Sequence, residues 1–255
     1  MLKIDSLTAS YRNTEVLKNV SFSLTPHTFT AVLGKNGCGK STLVSCINQQ
    51  LRYTGKISFG DHNLALMPLR ERARAVAILP QVMEIPHVPV EDLVMFGRNP
   101  YLDFGRRPSS EDRAAVESAI AQIGIEALRE KMVDHLSGGE RQRAYLAMVL
   151  AQQTRLIVLD EPTTYMDMEN EAAFLQTLTQ LKKRSRKTLL VIMHNLAQAV
   201  RYADHIVVLD GGRVVFDGAT AACLESGILE RVFHVQKHIF SEGGQQFVVF
   251  TAQNE

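Results

Sequence analysis

The chain has 255 residues, 45% of them hydrophobic, and its 28 Lys and Arg offset 27 Asp and Glu to a formal charge of +1. That length suits one large α/β domain, or a core with one inserted subdomain, while the charge balance gives no electrostatic ground for a nucleic-acid partner. The three cysteines, Cys38, Cys46 and Cys223, have neither paired spacing nor neighbouring His clusters, which argues against a disulfide scaffold or zinc site and for a reduced, cytosolic setting.

In chain order, the first five residues lack a basic start followed by an apolar stretch, and no run approaches the ~18 apolar residues that span a bilayer. The expectation is a chain that is neither secreted nor membrane-spanning by itself. Residues 2–7, 20–24 and 56–59 alternate as antiparallel strands. Between them, the apolar strand 30–33 leads into Gly34-Lys35-Asn36-Gly37-Cys38-Gly39-Lys40-Ser41-Thr42 and a helix-like run 43–47. The glycines let backbone N–H groups face inward, and the helix points its positive end at phosphates. This is a loop for a nucleotide triphosphate, with Lys40 reaching the β- and γ-phosphates and the Ser41 hydroxyl on Mg²⁺.

The strand 76–79 follows, and then Pro86 and Pro89 break the chain. Residues 97–108 are rich in turn formers, and 111–123 carry helical spacing of Ala115, Ile120 and Ile123. A helical insertion is expected over about 82–153. Near its end, Leu136-Ser137-Gly138-Gly139-Glu140 precedes an apolar helix: Ser137 is a natural N-cap, Glu140 completes a capping box, and Gly138 and Gly139 let N–H groups approach an anion. Next, the apolar strand 156–159 ends in Asp160-Glu161. Ligands of parallel α/β sheets bind beyond the carboxyl ends of strands, so Asp160 is placed to organise Mg²⁺, directly or through water, and Glu161 to polarise the water attacking the γ-phosphate, as general base or orienting acceptor. The basic run 182–187 reads as a solvated helix end rather than a nucleic-acid patch. Strands 189–193 and 206–209 return the chain to the core, and from Gly227 a small C-terminal appendage follows. The fold class is therefore α/β: a P-loop NTPase core with a mostly parallel sheet, an antiparallel β subdomain and an inserted α-helical subdomain.

In their order along the chain, these motifs resemble the nucleotide-binding subunit of an ATP-binding cassette (ABC) transporter, over about residues 11–235, with Leu-Ser-Gly-Gly-Glu as the family's signature segment. The resemblance implies an ATPase domain over 1–235, with 236–255 as the appendage. It also implies two cassettes packed head to tail as a homodimer, the phosphate loop of one and the Ser137-Gly138-Gly139 turn of the other enclosing each ATP. By position, Tyr11 resembles the aromatic residue that stacks on adenine. Gln81 resembles the glutamine that meets Mg²⁺ and relays occupancy to the helical insertion, Asp167 the aspartate that crosses the dimer interface, and His194 the switch histidine on the γ-phosphate. Cys38 stands where serine is frequent and adds a thiol open to alkylation or oxidation. Asn195 stands where aspartate is common, which leaves open how His194 is held, and Tyr165-Met166-Asp167 replaces Ala-Leu-Asp.

Such a cassette is a motor that needs separate transmembrane permease subunits, docked through a surface just after Gln81 that includes residues 83–89 and 96–101. It would sit peripherally on the cytoplasmic side of the inner membrane, served indirectly by an external substrate-binding protein. Residues 97–102, 163–168 and the stretches 211–215 and 229–233 resemble the ATPases of siderophore, haem and cobalamin importers, with an iron chelate the first expectation for cargo. The alternative is a soluble ABC ATPase of a cluster-assembly or DNA-repair type complex. The DNA-repair form would carry a long heptad coiled coil, which the chain lacks.

Overall fold

The computed structural model describes every residue except Asn13, Asp103, Phe104, Arg106, Tyr165, Gly243, Gly244, Asn254 and Glu255, and leaves out the side chains of Glu242, Gln245 and Gln246. The departure at Tyr165 therefore lies outside the described residues. The chain divides into two compact units, Met1–Ala65 with Thr188–Glu255, and Leu66–Lys187.

The first unit opens with β1 (Leu2–Tyr11), β2 (Thr14–Ser23), β3 (Phe29–Gly34), α1 (Lys40–Ile47), β4 (Tyr53–Phe59) and β5 (His62–Asn63). Strands β2, β1, β4 and β5 form an antiparallel sheet in that order. Along β1 the buried residues are Leu2 and Ile4, then Leu7 and Ala9, a break in the period of two. A register shift between Ile4 and Leu7, with Ser6 at φ 53°, inserts the residue that returns the apolar side chains to the core face. Sequence alternation stops at this bulge, which is why the strand is longer than the expected 2–7.

The second unit contains α2 (Leu69–Ala75), β6 (Val76–Leu79), α3 (Val90–Phe96), α4 (Ser110–Ile123), α5 (Gly138–Ala151), β7 (Leu156–Asp160) and α6 (Met168–Ser185). Here β6 pairs parallel with β7, Leu79 opposite Leu159. Helices α3, α4 and α5 pack together, and Gly97, the C-cap of α3, lies hard against α5: a Cβ there would lie 2.1 Å from the Met148 carbonyl oxygen. Next to it, Arg98 of the expected docking stretch 96–101 turns its guanidinium inward. Its side chain is buried, with Nε 2.9 Å from the Asp112 carboxylate and one terminal nitrogen donating to the carbonyl of Ala151 (2.8 Å) and to Gln153 Oε1 (3.0 Å). It also lies 3.9 Å from the Tyr101 ring centre. A guanidinium with this many acceptors is a tie between helices, because burying it unpaired would be costly.

The chain returns to the first unit with β8 (Thr188–Ile192), α7 (Leu196–Tyr202), β9 (His205–Asp210), β10 (Arg213–Ala219), α8 (Thr220–Glu225), α9 (Ile228–Phe233), β11 (Val235–Glu242) and β12 (Gln245–Ala252). Strand β3, buried along its whole length, lies between parallel β8 and β9, and β10 closes antiparallel on β9. Strands apolar on both faces are what a parallel core requires. The C-terminal segment is a hairpin of β11 and β12, with β12 against α7. The α/β class with its parallel strands, antiparallel β sheet and helical segment is thus observed. One expectation fails in the basic run. Lys182, Lys183 and Arg184 do form the last turn of α6, but Lys187 is half-buried, its Nζ donates to the Thr154 carbonyl at 2.6 Å, and burial lowers its pKa. No helix among the described residues is long and apolar enough to cross a membrane.

Candidate nucleotide-binding site

In the first unit, buried β3 delivers the chain to Gly34, after which Lys35, Asn36 and Gly37 are exposed and Cys38 and Gly39 turn back inward. Gly37 and Gly39 lie at φ 77° and 107°, where a side chain would be strained, and a Cβ on Gly39 would also come within 2.6 Å of Leu17. Gly39 caps α1 without any side-chain hydrogen bond, and the first turn holds no acidic residue. The leading N–H groups and the positive end of the dipole are therefore available to an anion. Lys40 is buried at the helix start, and its Nζ donates to the carbonyls of Gly34 (2.8 Å) and Lys35 (3.2 Å), so its charge is held inside the loop. Ser41 is exposed and Thr42 buried.

Cys38 departs from the expected liability. Its thiol is buried, close enough that a Cβ on Gly34 would meet its Sγ at 2.4 Å. Burial pushes its pKa up despite the opposing pull of Lys40, so it is a protonated packing group rather than a reactive thiolate. Tyr11, half-exposed at 49%, ends β1 opposite Thr14. His194 follows β8, in which Ile192 pairs with Val32 of β3. That is the last pair of the ladder, and exposed His194 lies two residues beyond it, as Gly34 lies two residues beyond Val32. Asn195 N-caps α7, its Oδ1 accepting from Gln198 N at 3.1 Å. It thereby supplies the same kind of cap acceptor as the usual aspartate.

In the second unit, Asp160 is the buried last residue of β7. Glu161 leaves the strand at φ 46° and is met by Gln81, which follows β6: Gln81 Nε2 donates to Glu161 Oε2 at 2.7 Å. Residues 80 apart in sequence are joined because β6 and β7 are parallel neighbours.

Ser137 N-caps α5 in a complete capping box: its hydroxyl accepts from Glu140 N, and the Glu140 carboxylate takes the Ser137 N–H at 2.9 Å. That N–H, and then the hydroxyl, hold the Glu140 pKa below the usual range. Gly138 is the first residue of α5. Gly139 packs on Asn170, where a Cβ would lie 2.9 Å from Cγ. Asn170 in turn donates its backbone N–H and side-chain amide to Asp167, the N-cap of α6, at 2.8 and 2.9 Å, which lowers the pKa of Asp167. The signature turn and Asp167 are thus joined through one side chain.

The donors expected for Mg²⁺, the Ser41 hydroxyl, the Gln81 amide oxygen and the Asp160 carboxylate, are hard oxygens of the kind that ion takes alongside phosphate oxygens and water, so the residues present fit it. Sequence reasoning missed Asn170 and also Tyr145, whose hydroxyl donates to the Glu84 carbonyl at 2.6 Å and ties the segment after Gln81 to α5. Neither has a local sequence signal, since each acts on a distant residue or through one contact.

The family model described as ABC transporter matches residues 17–164. The achromobactin transport ATP-binding protein of Dickeya dadantii is 35% identical over 91% of this chain and 87% of its own length. The ferric enterobactin transport ATP-binding protein of Escherichia coli is 35% identical over 94% and 90%. Among solved structures, a metal-chelate type ABC transporter in an inward-facing conformation matches with a TM-score of 0.87 and 27% identity, over 100% of this chain and 98% of that one.

Proposed function

The chain belongs to the ABC transporter family, and we propose that it is the ATPase subunit of an importer that takes up an iron chelate, siderophore or haem, through a separate membrane permease. The observation that carries ATP chemistry is the α1 start: a glycine loop followed by a helix with no side-chain cap, no acid in its first turn and a buried lysine. The siderophore cargo is supported by the relatives' names.

In this reading, residues 1–235 are the ATPase domain, with a helical subdomain over about 82–153, and 236–255 are an appendage. Tyr11 stacks on adenine, and the N–H groups of residues 34–42 with Lys40 hold the β- and γ-phosphates. Ser41, Gln81 and Asp160 would hold Mg²⁺, which supplies charge neutralisation at those phosphates. Glu161 orients the attacking water and takes its proton. His194 donates to the γ-phosphate, where negative charge accumulates in the transition state. As the family resemblance implies, Ser137, Gly138 and Gly139 serve the ATP of a second copy, with Asp167 at the seam. Closing and reopening of that homodimer is the mechanical output. The chain sits on the cytoplasmic face of the membrane, bound to the permease, and an external binding protein delivers the cargo.

Isolating the tagged chain from membranes and identifying its companions tests this, together with ATP-dependent uptake of a labelled ferric siderophore. Transmembrane permease subunits and uptake that stops without this chain support the proposal. A purely soluble complex, or uptake that persists, overturns it.

A further inference from the structure

The turn that carries Glu161 is held by residues to which no role has yet been given. A left-handed backbone at a residue with a side chain is costly, and Glu161 adopts one at φ 46°, so something must hold it. Thr164 does so from three residues on. Its backbone N–H and its hydroxyl both point to the Glu161 carbonyl, at 3.4 and 3.0 Å. On the far side of the turn, buried Thr163 donates to Glu171 Oε1 at 3.0 Å and pins the segment to α6.

The carboxylate is held as well. Gln81 Nε2 lies 2.7 Å from Glu161 Oε2, and the Thr164 hydroxyl is 3.4 Å from that same oxygen. Among the described residues both donors converge on Oε2. A hydroxyl has one hydrogen, so Thr164 can grip the Glu161 carbonyl or the carboxylate at any moment, and the shorter distance selects the carbonyl.

We propose that Thr164 is a positioning residue for hydrolysis, its hydroxyl holding the Glu161 turn so that Oε2 is the anchored carboxylate oxygen and Oε1 the one that meets the attacking water. This rests on the reading of Glu161 as the water-activating residue. Gln81 supplies the direct hydrogen bond to Oε2, and Thr164 acts on that oxygen through the turn it holds.

The full chain with ATP and Mg²⁺ tests it through Thr164→Val, which keeps shape and loses the hydroxyl, and Thr164→Ser, which restores the hydroxyl. Thr164→Val is expected to lower kcat about 10-fold, the upper scale of one lost neutral hydrogen bond, with KM and the dissociation constant of a fluorescent ATP analogue unchanged. Thr164→Ser restores kcat to within about 3-fold of wild type. Glu161→Gln alone lowers turnover by roughly 10²–10⁴, and adding Thr164→Val to it costs nothing more, because the two act as a unit. Wild-type kcat in Thr164→Val, no rescue by serine, or a full additional loss in the double variant overturns the proposal. Should the valine chain not fold, Thr164→Ala carries the same comparison. Near-normal turnover in Glu161→Gln instead removes the reading of Glu161 itself, so the two failures are told apart.

Discussion

Two helix starts in this chain look alike in sequence and differ in physics. Both α1 and α5 begin at glycines after a polar turn. At α1 the cap is Gly39, with no side-chain acceptor and no acid in the first turn, so the helix end stays positive and its N–H groups remain available. At α5 the cap is Ser137, and Glu140 closes the box with its own carboxylate. That engages two of the N–H groups at this start, those of Ser137 and Glu140, and sets a negative charge beside them. The first start is built to bind phosphate by itself, whereas the second is stable without ligand and can add only what a close second surface brings to it.

The sharpest way to break this comparison is Ser137→Arg. Hydrolysis should be abolished while the dissociation constant for ATP stays at its wild-type value and the melting temperature falls by no more than the roughly 2–4 °C that loss of the cap costs. If nucleotide affinity falls as well, the α5 start is part of the same chain's binding site. Gly39→Ala is the converse, because it forces a side chain into φ 107° and against Leu17. It should weaken ATP binding about 100-fold, near 2.7 kcal/mol, as read by titration with a fluorescent nucleotide. Ser137→Ala removes only the cap. It should cost about 1 kcal/mol of stability, lowering the melting temperature by roughly 2–4 °C, without changing ATP affinity.

The smallest effect is in pH. The Ser137 N–H holds Glu140 below its ordinary value of about 4.3. An acid stabilised in this way contributes stability that is fully present above its unfolded value and lost as pH falls through its folded one. The melting-temperature gap between wild type and Glu140→Gln should therefore be constant from pH 7 to about 5 and narrow as pH falls below about 4. A gap that stays the same at every acid pH would remove the carboxylate from the cap.

How much of this was legible before the fold depends on the range of each interaction. The phosphate loop, the capping box at Ser137 and the acidic end of β7 are contiguous, and their chemistry follows from spacing alone. Arg98 was expected in a docking stretch by resemblance and Lys187 in a solvated helix end by position, yet Arg98 meets Asp112, Ala151 and Gln153 and Lys187 meets the Thr154 carbonyl. Acceptors 14 to 55 positions away in the chain leave no local trace. The thiol of Cys38 was expected to be open to reagents because the loop was expected to be, and its packing against Gly34 reverses that. The hairpin of β11 and β12 was legible only as an appendage, because its exposed apolar residues Ile239, Phe240, Phe247 and Val249 do not alternate cleanly.

What the order of residues determined alone was the set of chemical parts: a loop that accepts phosphate, two carboxylates at the end of a buried strand, and a capped helix start with two glycines. Those are properties of a few adjacent residues, for which backbone conformation and hydrogen-bonding groups suffice. Only tertiary structure decided which parts touch: that Gln81 grips Glu161, and that Asn170 joins Gly139 to Asp167. Such contacts depend on which strands are neighbours, and that is set by burying the apolar faces of the whole chain together.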